Sequence, residues 1–432
     1  MAAPYVVRVL VLSSGERLPV LLGVAEGLPL HEPMLYTMVR LRTANASTST
    51  IEFSLRAILV LQLFLEHRSI NLEQRFLHGR ALSEAEIDAL ARACRWPMNV
   101  LYEQFTVGEK PLHAQRIHSL ERFRARLSKA PFSEVVPDMA ANRLRCIRQY
   151  LDWLIQAKLG SLEPQGHLYR ALESQLQFLK GALKSREPVG RGRNAIGRRE
   201  GAAPEDIDKL LSLIKPKALG NPWRNTHVQV RNALMVHWLL HLGVRRGELL
   251  NVKVADIDFR LETVTIVRRA DDPQDPRANQ PRVKTLDRVL PLSSSLAAAT
   301  YDYVIHWRSK PPGAHAHEFL FVAEYTGHPL SLVALNKTFQ VLRNKCILLP
   351  SSLTPHVLRH TFNDRLSEIM DEKGISEERE KQIRCQLNGW KETSGTAATY
   401  TRRHIRKKAA EASLSMQERM LSTGGGWEDA EP

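Results

Sequence analysis

The sequence predicts a mainly α-helical protein with a small antiparallel β-sheet, built as a helical domain followed by an α+β domain. Three observations predict it. From about Thr50 onward, apolar residues recur at helical spacing over most of the chain. Period-two alternation is confined to short runs: Tyr5–Leu12, Thr263–Val267 and Val283–Leu292. Between the two helical regions lies a stretch rich in glycine and arginine, with no periodic apolar residues.

Residues 1–47 form the first segment, expected to be β-rich, with short strands and turns such as Ser13-Ser14-Gly15-Glu16. Residues 48–185 form an all-helical domain. Ile51, Phe53, Leu55, Ile58, Leu59, Leu61, Leu63 and Phe64 make a largely apolar first helix. Ser83 precedes a segment with Glu84 and Glu86 in its first turn, where the positive end of a helix favours acids. In Ala140–Lys158, Leu144, Ile147, Leu151, Leu154 and Ile155 share one face. Arg143, Arg145 and Arg148 lie at its flanks and beyond, as a solvated basic surface or as phosphate contacts. A further helix covers Leu168–Leu183.

Residues 186–202 carry five arginines and four glycines, the composition of a basic linker. Arg191, Arg193, Arg198 and Arg199 are placed to track a phosphate backbone, releasing counterions as they do so; a solvated hinge is the plainer reading. The second domain is expected over 203–415, with a tail over 416–432 that is glycine-rich from Ser422 and expected to be disordered. Pro204-Glu205-Asp206 opens a helix with proline and acids in its first turn. A long helix over Asn225–Leu242 is stopped by Gly243, and a short one passes through Glu248-Leu249-Leu250. The polar stretch 270–276 joins the two strands, and helices return from Ser331.

The bulk properties narrow the function. The 432 residues, 43% apolar, suffice for two cored domains. A net charge of +15 points to nucleic acid or an anionic membrane. No apolar run is expected to reach the roughly 18 residues that a spanning helix needs, which argues against the membrane. Four dispersed cysteines and sixteen scattered histidines lack metal-ligand spacing. A reduced, cytoplasmic protein associated with the nucleoid is expected, with no metal and no cofactor.

Six residues carry candidate chemistry. Taken singly, Arg245 is a helix-end arginine, Lys284 a surface lysine, and Trp390 and Tyr400 core aromatics. His356 and Arg359 lie three apart on one helix face, and Pro355 places His356 at the N-terminus that favours an anion. Taken in order, Gly243-x-Arg245-x-x-Glu248-Leu249, Lys284 followed by Pro291-Leu292, His356-Val357-Leu358-Arg359-His360-Thr361 and Tyr400 resemble the catalytic domain of the tyrosine recombinases, the phage-integrase family. The resemblance covers roughly residues 203 to 412. The helical domain is similar to the family's core-binding domain by helix content and position only.

The resemblance implies a site-specific recombinase or integrase of a mobile genetic element. Tyr400 is then the nucleophile that forms a 3′-phosphotyrosine, and Arg245, Arg359, His356 and Trp390 hold the phosphate. Lys284, on a mobile hairpin, protonates the leaving 5′ oxygen, while Glu248 and His360 buttress the site. The chemistry needs these types: arginine offers permanently charged bidentate donors to the charge that develops on phosphoryl oxygens, and tyrosine can form the covalent bond. The implied partners are double-stranded DNA, three further copies in a homotetramer on two DNA sites, and accessory DNA-bending or partner recombinase proteins. Two features depart from the pattern. Trp390 and Tyr400 are ten positions apart, one more than the family's usual interval, and the connection from Arg268 to Lys284 is longer than in compact members. Two other readings stand beside this one: a type IB topoisomerase relaxing supercoils by similar chemistry, and a non-catalytic DNA-binding protein on a recombinase scaffold.

Overall fold

The structure, a computed structural model, describes residues 3–106, 133–164, 166–190, 201–281, 283, 285–391, 393 and 402–423. They fall into two compact units, divided at about residue 195.

The first unit opens with β1 (Tyr5–Val11) and β2 (Arg17–Gly23), an antiparallel hairpin in which Tyr5 pairs with Gly23 and Val11 with Arg17. The segment after it is helical, where strands and turns were expected: α1 (His31–Tyr36) runs into a π-helical turn, Thr37–Arg42. Two turns are too short for apolar periodicity to register. What holds them is tertiary. The Tyr36 ring meets Tyr150 edge-on at 5.2 Å and Trp153 at 5.4 Å.

The centre of this unit is α2 (Thr48–His67), started by Ser47, whose side chain accepts from Thr50 N–H. This helix corrects one expectation, because it is long and apolar enough to cross a membrane. Its apolar residues, Ile51, Leu55, Ile58, Leu59 and Phe64 among them, are buried in the core of the unit. Around it lie α3 (Leu72–Leu77), α4 (Glu84–Ala93), α5 (Met98–Thr106), α6 (Pro137–Leu159) and α7 (His167–Ser185). Ser83 and Glu86 close a reciprocal cap on α4.

The three arginines of α6 have partners within the unit. Arg143 is buried and donates to the carbonyls of Cys94 (3.0 Å) and Trp96 (2.6 Å), closing the end of α4. Arg145 and Arg148 both pair with Glu187. Arg186 pairs with Asp88 and Glu84, so the first two residues expected in the linker belong to the helical unit.

The second unit is built around α9 (Thr226–Leu242), which follows α8 (Pro204–Ile214). Buried residues surround α9 on nearly every side, and its Trp238 donates to Thr300 Oγ1 at 3.1 Å. Asn225 caps its start. Gly243 ends it in the left-handed region, at φ 59°, as the sequence predicts. Next come α10 (Arg246–Leu249) and an antiparallel sheet, β3 (Ile257–Asp258), β4 (Thr263–Ile266) and β5 (Arg288–Pro291), in that spatial order. The strand expected over Val283–Leu292 is shorter in the structure, starting at Arg288, and Leu286 N–H is taken by Gly389 O.

The connection between β4 and β5 is fastened to the body. Arg269 pairs with Asp256, and Lys253 with Asp272 at 2.9 Å. Arg277 is buried over the Phe319 ring and donates to Leu250 O, Leu330 O and Asp275. The remaining helices are α11 (Ser294–Tyr303), α12 (Leu332–Lys345), α13 (Pro355–Glu372), α14 (Glu377–Asn388) and α15 (Arg402–Thr423). Helix α15 extends into the expected tail, and residues beyond 423 lie outside the described residues.

Candidate active site

Three breaks in helical structure bring the motif residues together. The first is Gly243. Its positive φ turns the chain from α9 into α10, and a side chain there would place Cβ 2.2 Å from Phe362 Cδ1 on α13. Only glycine satisfies both constraints. Its carbonyl accepts from Arg359 Nη1. Two residues later, Arg245 leads α10.

The second is the start of α13. Thr354 caps it by accepting from Val357 N–H at 3.3 Å, and Pro355 takes the first turn, where its missing N–H costs nothing. His356 is exposed at that N-terminus, and its ring meets His360 edge-on at 4.4 Å. His360 is buried, and Arg359 is 1% exposed.

The third is Gly389, with φ 65°, closing α14 in a paired-bond turn: Gly389 N–H donates to Gln386 O and Trp390 N–H to Cys385 O. A Cβ at 389 would lie within 3 Å of Arg288 Nη1, Thr285 Cβ and Leu286 O. The turn sets Trp390, which is buried, with its ring 5.4 Å from the Arg359 guanidinium. That is within cation–π range.

Glu248 joins these parts. Its carboxylate is 1% exposed. It accepts from Arg245 N–H (2.9 Å), Arg245 Nη1 (3.2 Å), Thr285 Oγ1 (2.7 Å) and Arg288 Nη2 (2.8 Å). Burial alone would raise its pKa. The nearby charges of Arg288 and Arg359, with the hydrogen bonds, overcome that and hold it at about 2. Arg245 keeps 30% of its side chain exposed, and its Nη1 also donates to Asn388 O at 3.4 Å. It is therefore a guanidinium held in place with one side facing outward.

Sequence reasoning missed two arginines. Arg288 is buried on the inward register of β5, beside Leu290, and its Nε donates to Leu387 O. An arginine in phase with inward apolar residues was the available signal. Arg384 is fully buried on α14 and donates to Glu380, Ser367 and Asn363. Asn363 and Asn388 bond each other as well, locking α14 to α13. The charged run Glu377–Arg384 gave no hint of this, since it reads as a solvated face.

Arg245, Glu248, His356, Arg359, His360 and Trp390 are thus carried on α10, α13 and the turn after α14 of one unit. Lys284 and Tyr400, and Arg191, Arg193, Arg198 and Arg199 of the linker, lie outside the described residues. Of the described residues beside position 284 in the sequence, Val283 is buried in the core and Thr285 is bonded to Glu248.

Comparison with known proteins adds an independent line. The phage integrase family model matches residues 204–406. Tyrosine recombinase XerD of Halalkalibacterium halodurans is 26% identical over 167 residues, 38% of this chain and 50% of that protein. Tyrosine recombinase XerC of a Methylobacterium species is 26% identical over 258 residues, 57% of this chain and 72% of that protein. The chain therefore spans about half the length of the first of these relatives. The solved Tn1549 transposon integrase, in complex with a circular intermediate DNA, aligns over 79% of this chain and 94% of that one, with 16% identity and a TM-score of 0.42. Residues 204–406, in the unit that holds the site, thus match the phage integrase family, and the curated relatives to which the chain is similar are tyrosine recombinases.

Proposed function

We propose that this chain is a site-specific DNA recombinase, or integrase, of a mobile genetic element. The observation that supports it most is the shared anchoring of the two motif arginines: Arg359 donates to Gly243 O, and Arg245, two residues on, is held by Glu248. Two fixed guanidinium groups suit the non-bridging oxygens of a phosphodiester, where negative charge grows as a nucleophile attacks. Arg359 is nearly closed to solvent, so a phosphate reaches it only once neighbouring groups move.

In the proposed reaction the Tyr400 hydroxyl attacks the scissile phosphorus and passes its proton to His356. The bond from phosphorus to the 5′ oxygen breaks, and that oxygen takes a proton from Lys284. A 3′-phosphotyrosine and a free 5′ hydroxyl result, and the reverse attack by a 5′ hydroxyl rejoins the strand. The covalent link keeps the energy of the broken phosphodiester, so no nucleotide is consumed. Trp390 braces Arg359 by its ring face. The basic linker lies along DNA, and the enzyme acts as a homotetramer on two sites. The apolar Leu414, Met416 and Met420, exposed on α15, support docking of that helix on a neighbouring subunit. If truncation after Arg406 leaves assembly on DNA unchanged, the docking role is wrong.

The test is covalent trapping. Wild type and Tyr400→Phe are incubated with a pool of nicked duplexes of randomised sequence, and detergent-resistant protein–DNA adducts are collected. Adducts from wild type alone support the reading. Equal trapping by the phenylalanine variant removes Tyr400 as nucleophile, and no adduct from wild type removes the recombinase reading.

A further inference from the structure

The chain leaving the basic linker is fastened directly to the helix that carries His356 and Arg359. Gly201 N–H donates to Asp364 Oδ2 at 3.0 Å, and Ala202 N–H donates to Thr361 Oγ1 at 2.9 Å. Thr361 is buried, directly follows His360, and donates in turn to Val357 O at 3.1 Å. The approach is close. A Cβ on Gly201 would fall 2.7 Å from Thr361 Cα and 2.8 Å from Thr361 N. Those are backbone atoms of a helix and cannot swing aside as a side-chain tip can.

The same helix is held elsewhere by Arg359, through Gly243 O, and by Asn363, through Asn388. A rigid rod fixed at several points has its orientation set by all of them. The linker end is one of those points, and its chain leads straight into the arginine-rich segment.

We propose that Gly201–Ala202, with Thr361 and Asp364, forms a positioning strap that sets the orientation of α13, and so of His356 and Arg359, for cleavage. The proposal rests on the recombinase reading above. On that reading, DNA held by the linker and the phosphate-binding helix are mechanically joined through two hydrogen bonds from backbone N–H groups to side chains of α13. Thr361 and Asp364 touch no reacting atom in this role and act through α13.

The experiment compares wild type with Thr361→Val, which keeps the shape but removes the acceptor, Thr361→Ser, which keeps the hydroxyl, and Gly201→Ala. The rate of covalent adduct formation on the nicked duplex pool, the Kd for an intact pool and the melting temperature are measured on the full chain. Thr361→Val is expected to slow adduct formation on the order of tenfold with Kd unchanged, since small misplacements of fixed groups carry large rate costs. Thr361→Ser is expected to restore most of the rate, and Gly201→Ala to lower it further. A wild-type rate in Thr361→Val overturns the strap. So does a parallel fall in rate, affinity and melting temperature that serine does not rescue. If wild type forms no adduct, it is the recombinase reading that fails; amide exchange along α13 then still decides the strap, and equal protection in wild type and Thr361→Val overturns it.

Discussion

Arg288 donates to the buried carboxylate of Glu248 at 2.8 Å, and through that bond β5 is tied to the start of α10. The pair is closed to solvent on both sides. Thr285 bridges it, bonding Glu248 through its hydroxyl and accepting from Arg288 Nη1. One carboxylate thus sets the position of Arg245, the strand that follows Lys284 and, through Arg288 and Leu387 O, the end of α14.

This arrangement makes stability depend on acid. The Glu248 pKa falls from the ordinary 4.5 to about 2 on folding. A depressed carboxylate pKa contributes stability that is fully present above about 4.5 and is lost as pH falls toward 2. The shift corresponds to about 3 kcal/mol. In urea denaturation of the full chain, Glu248→Gln is expected to be less stable than wild type by that order at pH 7. The gap should close between pH 4.5 and 2. A gap independent of pH would show that the carboxylate charge is not what holds the hub.

Gly243→Ala is expected to damage both fold and site. The substitution strains a left-handed residue and drives Cβ into the Phe362 ring. A total cost of about 2–4 kcal/mol follows from overpacking and backbone strain. The carbonyl that accepts from Arg359 shifts with it. Adding Phe362→Ala removes the clash but leaves the strain, so the double variant should be more stable than the sum of the two single losses. Strict additivity in thermal unfolding would exclude the ring contact as the cause.

What could be read from the sequence follows from how local each cause is. Asn225 and Ser83 with Glu86 mark helix ends by hydrogen bonds within a turn, Gly243 and Pro204 by backbone conformation, and the structure puts those ends there. The order of Gly243, Arg245, Glu248, His356 and Arg359 carried the resemblance to the family whose model matches residues 204–406. Causes that lie far along the chain left no trace. Arg384 looks like a solvated residue of a charged helix until α13 covers it. Arg143 looks like a basic flank until the carbonyls of Cys94 and Trp96 meet it. The stretch 270–276 reads as a long polar connection, and only the structure shows that Arg269, Asp272 and Arg277 in and beside it find partners on other elements.

Arg384→Met tests whether α14 is held by that buried network. The guanidinium bonds Glu380, Ser367 and Asn363, and its removal leaves those acceptors buried or half-buried without their donor. Losing one member of a buried charged network costs about 3–5 kcal/mol. Because Gly389 and Trp390 follow α14 directly, Trp390 fluorescence is expected to change in the folded state before any unfolding. The comparison is with Arg384→Met carrying Trp390→Phe, which should lose that change while keeping the stability loss. If the signal persists without Trp390, it comes from another tryptophan and α14 has not moved.

Arg245→Lys and Arg359→Lys separate the two arginines by burial. Lysine keeps the charge but not the planar fork that reaches two oxygens at once. At position 245 the side chain is part exposed and its ion pair with Glu248 shares that carboxylate with Arg288. Stability is therefore expected to change by less than about 1 kcal/mol. Adduct formation is expected to fall on the order of 100-fold, the usual cost of one lost donor at developing charge. At position 359 the guanidinium is buried between Gly243 O and the Trp390 ring, so lysine there is expected to lower both stability and adduct formation. Equal stability losses in chemical denaturation would mean that Arg245 is as structural as Arg359.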